Sequence, residues 1–389
     1  MLNEFLASYK CEATEVKPEE RFTEKDSVLI TYANSFYRRG EKPLKTLNYF
    51  LQKYLAGAIN GVHILPFFPY SSDRGFSVID FYHVKEEFGT WQDIELLGNK
   101  FRLMVDLLLN HVSTQNEWFK RFLDCDARYK DYFISFSGGS VPEEEIKKVF
   151  RPRATPLLTK FKTKCGEKLV WTTFSVGNTT DQVDLNYKNP EVLLEIIKVL
   201  LFLLEKNAQI IRLDAVAYIW KELGTNCIHR PQAHTIVQLF RDILDTVKPS
   251  AVLITETNVP HKENISYFGN GYNEAQAVYN FSLPPLVLHA FWKSDASYLS
   301  EWASSLKCPS NTTTFFNFLD SHDGIGVLGA RGILPQEEIE RMFEEVEKRG
   351  GVLSYKVNED GARSVYEMNI TWWSALNGNS SDSLELQVQ

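Results

Sequence analysis

The chain has 389 residues, 44% of them apolar and 24% charged, enough to bury the core of one large barrel or two ordinary domains. Its formal net charge of −8 and the lack of a basic run argue against a general nucleic-acid surface. The five cysteines are widely spaced without a CxxC pair, which predicts reduced thiols rather than a zinc site or a disulfide framework. The apolar run Val199–Leu204 is too short to cross a membrane.

The first half of the chain alternates strand-like and helical segments. The predicted elements are, in order, an extension over residues 1–26, a strand at Ser27–Ala33, an amphipathic helix at Leu44–Leu55, and strands at Gly61–Pro69 and Val105–His111. From residue 112 to residue 181 the pattern is irregular, and Gly138-Gly139 and Thr155-Pro156 break it. This stretch is expected to be an insertion after the third strand.

The second half resumes the alternation. The predicted elements are a helix at Val192–Lys206, strands at Ile210–Leu213, Val252–Thr255, Ala277–Phe281 and Thr314–Leu319, and a charged helix at Glu337–Lys348. The count reaches seven strands, and no segment suggests an eighth. A barrel that lacks one strand exposes two sheet edges and part of its apolar interior, so the chain is expected to be a fragment.

Four apolar runs end in polar residues, and they are the most informative feature of the sequence. They are VDLLLNH at Val105–His111, IIRLDA at Ile210–Ala215, LITETN at Leu253–Asn258 and FNFLDSHD at Phe316–Asp323. Such runs are typical of buried parallel strands, and in a (β/α)₈ barrel the active site lies at their C-terminal ends. We therefore expect Asp214, Glu256 and Asp323 to converge in one pocket. A pair of carboxylates flanking the scissile bond is the usual apparatus of glycoside chemistry.

Each of these residues also has a simpler explanation when it is taken alone. An Asp or Glu after a strand is usually a turn former or a helix N-cap. An isolated histidine such as His111 or His322 is as often a hydrogen-bonded core residue, and Arg212 beside a carboxylate can be a plain ion pair. The joint occurrence of all these residues, in one order, argues against the simpler explanations.

The four segments match, in order, the signature regions of the α-amylase superfamily, and the chain resembles that superfamily. The resemblance implies an α/β protein with a (β/α)₈ TIM-type barrel, here truncated after strand 7 and lacking the family's C-terminal β-sandwich. It divides the chain into an N-terminal extension (1–26), a catalytic barrel (27–111 and 182–389) and a small B domain inserted after strand 3 (112–181). It also implies that Asp214 is the nucleophile, Glu256 the general acid/base and Asp323 the carboxylate that stabilises the transition state.

A narrower resemblance covers nearly the whole chain. The segments FRPRATP, DQVDLN, RLDAVAY and SHDGIG are similar to the sucrose phosphorylase group. Within that group, ITETNVPHKENISYFG, WKELGTNCIH and Glu367 in EMNITWW are most similar to glucosylglycerate phosphorylases. The implied reaction is retaining phosphorolysis of an α-glucoside to α-glucose 1-phosphate and a free acceptor. Sucrose, sucrose-phosphate and glucosylglycerol phosphorylases are alternatives, as are a hydrolase and an inactive truncated barrel that at most binds sugar.

The resemblance also assigns residues around the catalytic acids. Those expected to bind substrate are Asp73, His111, Arg212, His322, Phe174, Gln182 and Tyr218, and the one expected to bind phosphate is Arg153. Taken alone, Phe174 and Tyr218 are more often core residues, and a loop arginine such as Arg153 is often paired with a surface acid. The segment SVGNTTD before Gln182 looks longer than in relatives, which predicts a surface bulge. The cation that would face an anionic acceptor stays open among Arg153, His234 and Arg363.

No metal and no organic cofactor is implied, because two carboxylates and inorganic phosphate as co-substrate complete the chemistry. The expected partners are therefore a small α-glucoside and phosphate, with no nucleic acid and no membrane, and a homodimer is left open. The N-terminus carries mixed charge without a long apolar core, which is not typical of a signal peptide. A cytoplasmic location is therefore expected.

Overall fold

A computed structural model describes residues 21–137, 141–153, 155–175, 180–358 and 362–377. The strands are β1 (Val28–Thr31), β2 (Gly61–Ile64), β3 (Arg102–Leu108), β4 (His111–Ser113), β5 (Ser135–Ser137), β6 (Leu158–Thr163), β7 (Gly166–Trp171), β8 (Gln182–Asp184), β9 (Ile210–Asp214), β10 (Val252–Thr255), β11 (Ala277–Tyr279), β12 (Thr314–Phe316), β13 (Ile325–Gly326), β14 (Val352–Val357) and β15 (Arg363–Asn369). The α-helices are α1 (Pro43–Phe50), α2 (Trp91–Gly98), α3 (Glu117–Leu123), α4 (Glu143–Ile146), α5 (Pro190–Glu205), α6 (Pro231–Val247), α7 (His261–Asn264), α8 (Leu283–Lys293), α9 (Ser297–Ser305), α10 (Gln336–Lys348) and α11 (Trp372–Asn377).

Seven parallel strands form the main sheet, in the order β1-β2-β3-β9-β10-β11-β12. Helices lie between successive strands, which is the right-handed crossover arrangement of a (β/α)₈ barrel. The predicted fold class and the count of seven strands in this sheet are confirmed for the described residues. The fifth predicted strand agrees with β10 to the residue, whereas the predicted ends of the second, sixth and seventh run past the observed ones into loops that still contain apolar residues.

Alternation along each strand decides which side chains enter the barrel. In β9, Ile211 and Leu213 belong to the main apolar cluster, which extends to the surrounding helices, whereas Ile210 belongs to a separate small cluster with residues of β3, β10 and β11. Since side chains on a strand alternate, Arg212 and Asp214 lie on the same face as Ile210. The register pairs Arg212 with Asp106 of β3 on one side and with Ile254 of β10 on the other.

The sheet has two edges that no other described strand covers, the outer sides of β1 and β12. A cavity of about 740 Å³ lies between these edges, and we call it the edge cavity. Its lining combines residues of β1 and β12 with the aromatic side chains of Phe22, Tyr279 and Phe318. An open barrel with uncovered edges is what the sequence count of seven strands predicts.

Smaller sheets surround the end of the barrel where the strands terminate. Between residues 112 and 181, β5, β6 and β7 form an antiparallel sheet, and β4 pairs with β8 beside it. Strands β13, β14 and β15 form another antiparallel sheet that the sequence did not predict. Its strands alternate poorly between apolar and polar residues, which is why periodicity did not reveal them.

A disulfide joins Cys125, at the end of α3, to Cys165 in the turn between β6 and β7. The expectation of reduced thiols is therefore wrong for these two residues. Forty positions separate them, so local spacing carried no sign of the pair, and only the fold brings their Cα atoms within 6.2 Å. Cys227 and Cys308 are free, and Cys11 lies outside the described residues, as does most of the predicted extension over 1–26.

Within the described ranges, no helix is both long and apolar enough to span a membrane.

Candidate active site

A cavity of about 250 Å³ opens where the barrel strands end, and we call it the central pocket. Every residue that the sequence assigned to catalysis, substrate or phosphate lines it except Tyr218. The lining set is Asp73, His111, Arg153, Phe174, Gln182, Arg212, Asp214, Glu256, His322 and Asp323. Tyr218 is buried behind the wall and packs edge-on against Phe174, with ring centroids 5.1 Å apart.

The floor of the central pocket is organised by one buried arginine. Arg212 donates from Nη1 to Asp214 Oδ1 at 2.6 Å and to Asp106 Oδ1 at 2.5 Å, and its Nη2 lies 3.8 Å from Glu256 Oε2. A single guanidinium thus faces three carboxylates from three neighbouring strands. A planar donor fork suits this arrangement because it can hold several oxygens in fixed directions.

Asp106 is the most acidic of the three carboxyl groups. Burial alone would raise its pKa, but His63 and Arg212 outweigh that effect and lower it to about 2. His63 lies 2.8 Å from the Asp106 Oδ2 atom through its Nε2 atom. Asp106 therefore stays ionised and fixes the position of Arg212, which in turn positions Asp214.

Asp214 and Glu256 differ in their distance from Arg212, and this difference separates their chemistry. Burial raises the pKa of both, to about 7 for Glu256, with Arg212 opposing the rise. The direct contact of Arg212 with Asp214, against 3.8 Å to Glu256, makes Asp214 the carboxyl group that ionises first. The pair thus supplies one carboxylate and one acid that can hold its proton near neutral pH.

A tight turn after β9 connects these two acids. Ala215 has φ 50° and ψ 32°, a left-handed conformation that costs an L-residue about 1–2 kcal/mol. In that conformation its backbone N–H donates to Glu256 Oε2 at 3.0 Å. The turn therefore fixes the Glu256 carboxyl beside Asp214.

Asp73, Gln182 and His111 come together on one side of the central pocket. Gln182 Nε2 donates to Asp73 Oδ2 at 2.8 Å, and His111 lies 3.1 Å from the carbonyl oxygen of Phe76 through Nε2. Residues 176–179 of the longer segment before Gln182 lie outside the described part of the chain. Phe174 and Gln182, which flank that segment, both line the pocket.

His322 and Asp323 enter the pocket from the loop after β12. The His322 ring stacks on Phe76 at 5.0 Å, and burial lowers the pKa of His322. His322 Nε2 lies 3.3 Å from Asp323 Oδ2, and the Asp323 side chain is 44% exposed. Asp323 is thus the most open of the three predicted catalytic acids.

The pocket lining also contains residues that the sequence did not single out as site residues. They are Tyr32, Arg74, Asn258, Phe281, Tyr366 and Glu367. Burial, and then Asp323, raise the pKa of Glu367 to about 8, although Arg153 opposes the rise. Tyr366 and Glu367 lie on β15, a strand missed in the sequence. The only signal in the sequence was Glu367 itself, whose segment EMNITWW resembles one subgroup.

Of the three cations considered for an anionic acceptor, only Arg153 lines the central pocket. Arg363 is exposed at the start of β15 and is not part of the lining. His234 lies on α6, 2.8 Å from Glu274 Oε2, and stacks on Tyr267. The structure therefore places Arg153 and Arg74 in the pocket lining, and His234 and Arg363 outside it.

In the described part of the chain, no group of three or more His, Cys, Asp or Glu side chains is arranged to hold a metal ion. The charge of the pocket acids is instead met by the guanidinium groups of Arg212 and Arg153.

Comparison with known proteins places this barrel and its pocket in a family. The sequence profile of the alpha amylase catalytic domain matches residues 45–332, so the chain belongs to the alpha-amylase family. Within that family it is similar to glycoside phosphorylases. A glucosylglycerate phosphorylase of Spirochaeta thermophila is 56% identical over 357 residues, which cover 92% of this chain and 59% of that protein. One of Escherichia coli is 49% identical over 368 residues, or 94% of this chain and 64% of that protein.

The alignments with more distant relatives cover a larger share of those proteins. A sucrose phosphorylase of Streptococcus mutans is 33% identical, with 90% of this chain and 71% of that protein aligned. The crystal structure of sucrose 6F-phosphate phosphorylase from Thermoanaerobacter thermosaccharolyticum superimposes with a TM-score of 0.81 at 30% identity, covering 92% of this chain and 72% of that one. The chain spans about 60% of the length of the glucosylglycerate phosphorylases that it matches.

Proposed function

We propose that this chain carries the catalytic pocket of a retaining glycoside phosphorylase that acts on an α-glucoside, glucosylglycerate above all. The observation that carries the proposal is the Asp214–Arg212–Glu256 group, with Arg153 in the lining of the same pocket. The identity of 49–56% to glucosylglycerate phosphorylases supports the choice of acceptor.

In the first step Asp214, as a carboxylate, attacks the anomeric carbon of the glucoside. Glu256 gives its proton to the leaving oxygen, the glycosidic bond breaks, and a covalent glucosyl-enzyme forms. A Glu256 pKa of about 7 suits a group that must hold a proton and then release it at neutral pH. Asp323 stabilises the positive charge that develops on the sugar ring.

In the second step phosphate attacks the same carbon while Glu256, now a base, accepts its proton. The bond to Asp214 breaks and α-glucose 1-phosphate leaves. Phosphate must enter a pocket that holds Asp323 and Glu256, so it needs cations in the pocket lining. Arg153 and Arg74 are part of that lining, and Glu367 is neutral below about pH 8, which removes one negative charge from the path.

The sugar side of the pocket is formed by Asp73, His111, Gln182 and His322, with Phe174 as a stacking face. Tyr218 is proposed to act through Phe174, which it contacts. The acceptor side holds Arg153, Arg74 and Glu367, where a carboxylate such as that of glycerate would meet a guanidinium. We propose no metal and no organic cofactor, small-molecule partners only, and a cytoplasmic location.

The test is a glucose 1-phosphate assay with glucosylglycerate, sucrose and glucosylglycerol compared side by side, with Asp214→Asn as the blank. We expect phosphate-dependent release from glucosylglycerate, reduced at least about 10³-fold in the blank. Release of glucose without phosphate would instead indicate a hydrolase. Release from sucrose alone would overturn the acceptor, and no turnover by a folded sample would favour an inactive barrel.

A further inference from the structure

Asp181, which does not line the central pocket, is surrounded by hydroxyl groups. Its Oδ2 atom accepts from Ser71 at 2.5 Å, Ser72 at 2.5 Å and Ser77 at 2.8 Å. Its Oδ1 atom accepts from Thr114 Oγ1 at 2.8 Å, Ser113 Oγ at 3.2 Å and the Thr114 N–H at 3.3 Å. Six donors from two separate segments thus converge on one carboxylate.

The first of these segments encloses a strained turn. Asp73 and Arg74 have φ of 53° and 51°, so two consecutive non-glycine residues adopt the left-handed conformation, at a cost of about 1–2 kcal/mol each. Gly75 follows at φ 117°, where a side chain would collide with the Pro66 carbonyl oxygen. Such a turn persists only if its surroundings hold it. Ser72 precedes the turn and Ser77 follows it, so Asp181 accepts hydrogen bonds from both ends of the turn.

The same hydrogen bonds connect the turn to the other side chains on the sugar side of the pocket. Gln182, the next residue after Asp181, donates to Asp73. Ser113, two residues after His111 on β4, donates to Asp181 and contacts Ser71. One carboxylate therefore fixes the relative positions of Asp73, Gln182 and His111.

We propose that Asp181 is a positioning residue that holds the Asp73–Gly75 turn in the shape that binds the glucosyl group, a role that rests on the proposed function. All six hydrogen bonds to the Asp181 side chain come from donors, an arrangement that suits the ionised carboxylate, because a protonated carboxyl would carry an O–H that needs an acceptor. Burial raises the pKa of Asp181, but hydrogen bonds from Ser71 and Ser72 outweigh this and lower it, which agrees with the charged form.

The experiment compares Asp181→Ala, Asp181→Asn and Ser72→Ala with the wild type. Asp80→Asn is the matched control. The Asp80 carboxylate lies close in the chain, but its side chain accepts from the Tyr82 N–H and contacts His83 outside the turn. Two quantities are measured: amide hydrogen exchange over residues 70–78, and separate KM values for glucoside and for phosphate. The exchange measurement needs no turnover.

We expect Asp181→Ala to accelerate exchange at Ser71, Gly75 and Phe76, whose N–H groups bond within the loop, and to raise the glucoside KM roughly 10- to 100-fold. Phosphate KM should rise clearly less than the glucoside KM, because Arg74 lies in this turn but Arg153, the other arginine proposed to meet phosphate, lies on a separate segment. Asp181→Asn should lie between, and Ser72→Ala should show a smaller change in the same direction, so the test survives a failure of Asp181→Ala to fold.

Unchanged exchange in the Asp181 variants, or equal increases of both KM values, would overturn the proposal, because the effect would then be absent or merely global. If the wild type turns over no glucoside, the proposed function fails. Exchange alone then decides whether Asp181 holds the turn.

Discussion

At the scale of single residues, the pocket works by giving similar carboxyl groups different charges. Asp106, Asp214 and Glu256 share Arg212, yet the pKa is lowered to about 2 for Asp106 and raised to about 7 for Glu256. Burial raises the pKa of both groups, so the difference comes from their neighbours: His63 and Arg212 both contact Asp106 directly, whereas Arg212 lies 3.8 Å from Glu256. The same balance of burial and neighbouring charge raises the pKa of Glu367.

The pKa of Glu256 predicts the pH dependence of the first step. In the proposed reaction Glu256 must be protonated to act as an acid, so kcat/KM for the glucoside should fall about tenfold per pH unit above roughly pH 7. Initial-rate measurements from pH 5 to pH 9 would show this limb. With α-glucosyl fluoride, whose leaving group needs no proton, the limb should vanish. An equal decline with both donors would assign the loss to another group.

The raised pKa of Glu367 has a consequence for stability. The folded chain holds this proton up to about pH 8, whereas the unfolded chain releases it near the ordinary glutamate pKa of 4.5. The resulting stabilisation is present below pH 4.5 and is lost as the pH rises to 8. Glu367→Gln should therefore raise the free energy of unfolding at pH 9 by an amount on the order of 1–4 kcal/mol, with little change at pH 4.

Urea denaturation at the two pH values measures the effect of Glu367→Gln. Glu167→Gln is the control, because Glu167 is exposed and pairs with Lys160 on the surface. A gain at pH 9 no larger than that of the control would contradict the buried, protonated state of Glu367.

At the scale of elements, a buried lysine joins the barrel to the strands beside it. Lys221, just after the turn that follows β9, donates to Asp184 at the end of β8 at 2.8 Å and to Asn110 between β3 and β4. Asp184 also accepts from the Thr173 backbone N–H at 2.8 Å. Both charged side chains are almost fully buried, at 3% and 0% exposure. The junction holds the segments that carry His111 and Phe174.

Lys221→Met should leave Asp184 buried without its cation, and we expect a loss of about 3–5 kcal/mol in the free energy of unfolding. The matched control is Lys160→Met, which removes an exposed pair with Glu167 and should cost no more than about 1 kcal/mol. Equal losses in the two variants would show that the Lys221 pair contributes no more than a surface pair.

At the scale of the whole molecule, the seven-stranded sheet leaves the outer sides of β1 and β12 uncovered by any described strand. Exposed edges offer unpaired backbone groups to other chains. The relatives that the chain matches are longer, since it spans about 60% of their length. A further strand between β1 and β12 would occupy the edge cavity and close the barrel.

We expect a chimera that continues this chain with the remaining C-terminal sequence of the Spirochaeta thermophila relative to be less prone to self-association and more active than the 389-residue chain. Light scattering and the glucose 1-phosphate assay would compare the two. The same chimera with Asp214→Asn controls for activity supplied by the added segment. Equal activity and equal self-association of the two proteins would mean that the open edge has no functional cost.

Much of the barrel followed from local pattern, because strands and helices impose periods of two and 3.6 on the side chains they bury. β10 and α10 are close to their predicted bounds for this reason. The sheet formed by β13, β14 and β15 could not be predicted from local pattern, since its strands show no clean alternation of apolar and polar residues. Glu367 was therefore noted as a mark of a subgroup and not as a pocket residue.

The sequence by itself determined which polar residues lie at or after the C-terminal ends of the barrel strands, and alternation then placed Arg212 and Asp214 on one face. Tertiary structure alone decided which carboxylates share Arg212, that Arg153 and not His234 or Arg363 enters the pocket, and that Asp181 gathers its hydroxyl donors. The reason is physical. Distances, burial and pKa shifts are sums over contacts between segments far apart in the chain, and no local pattern contains them.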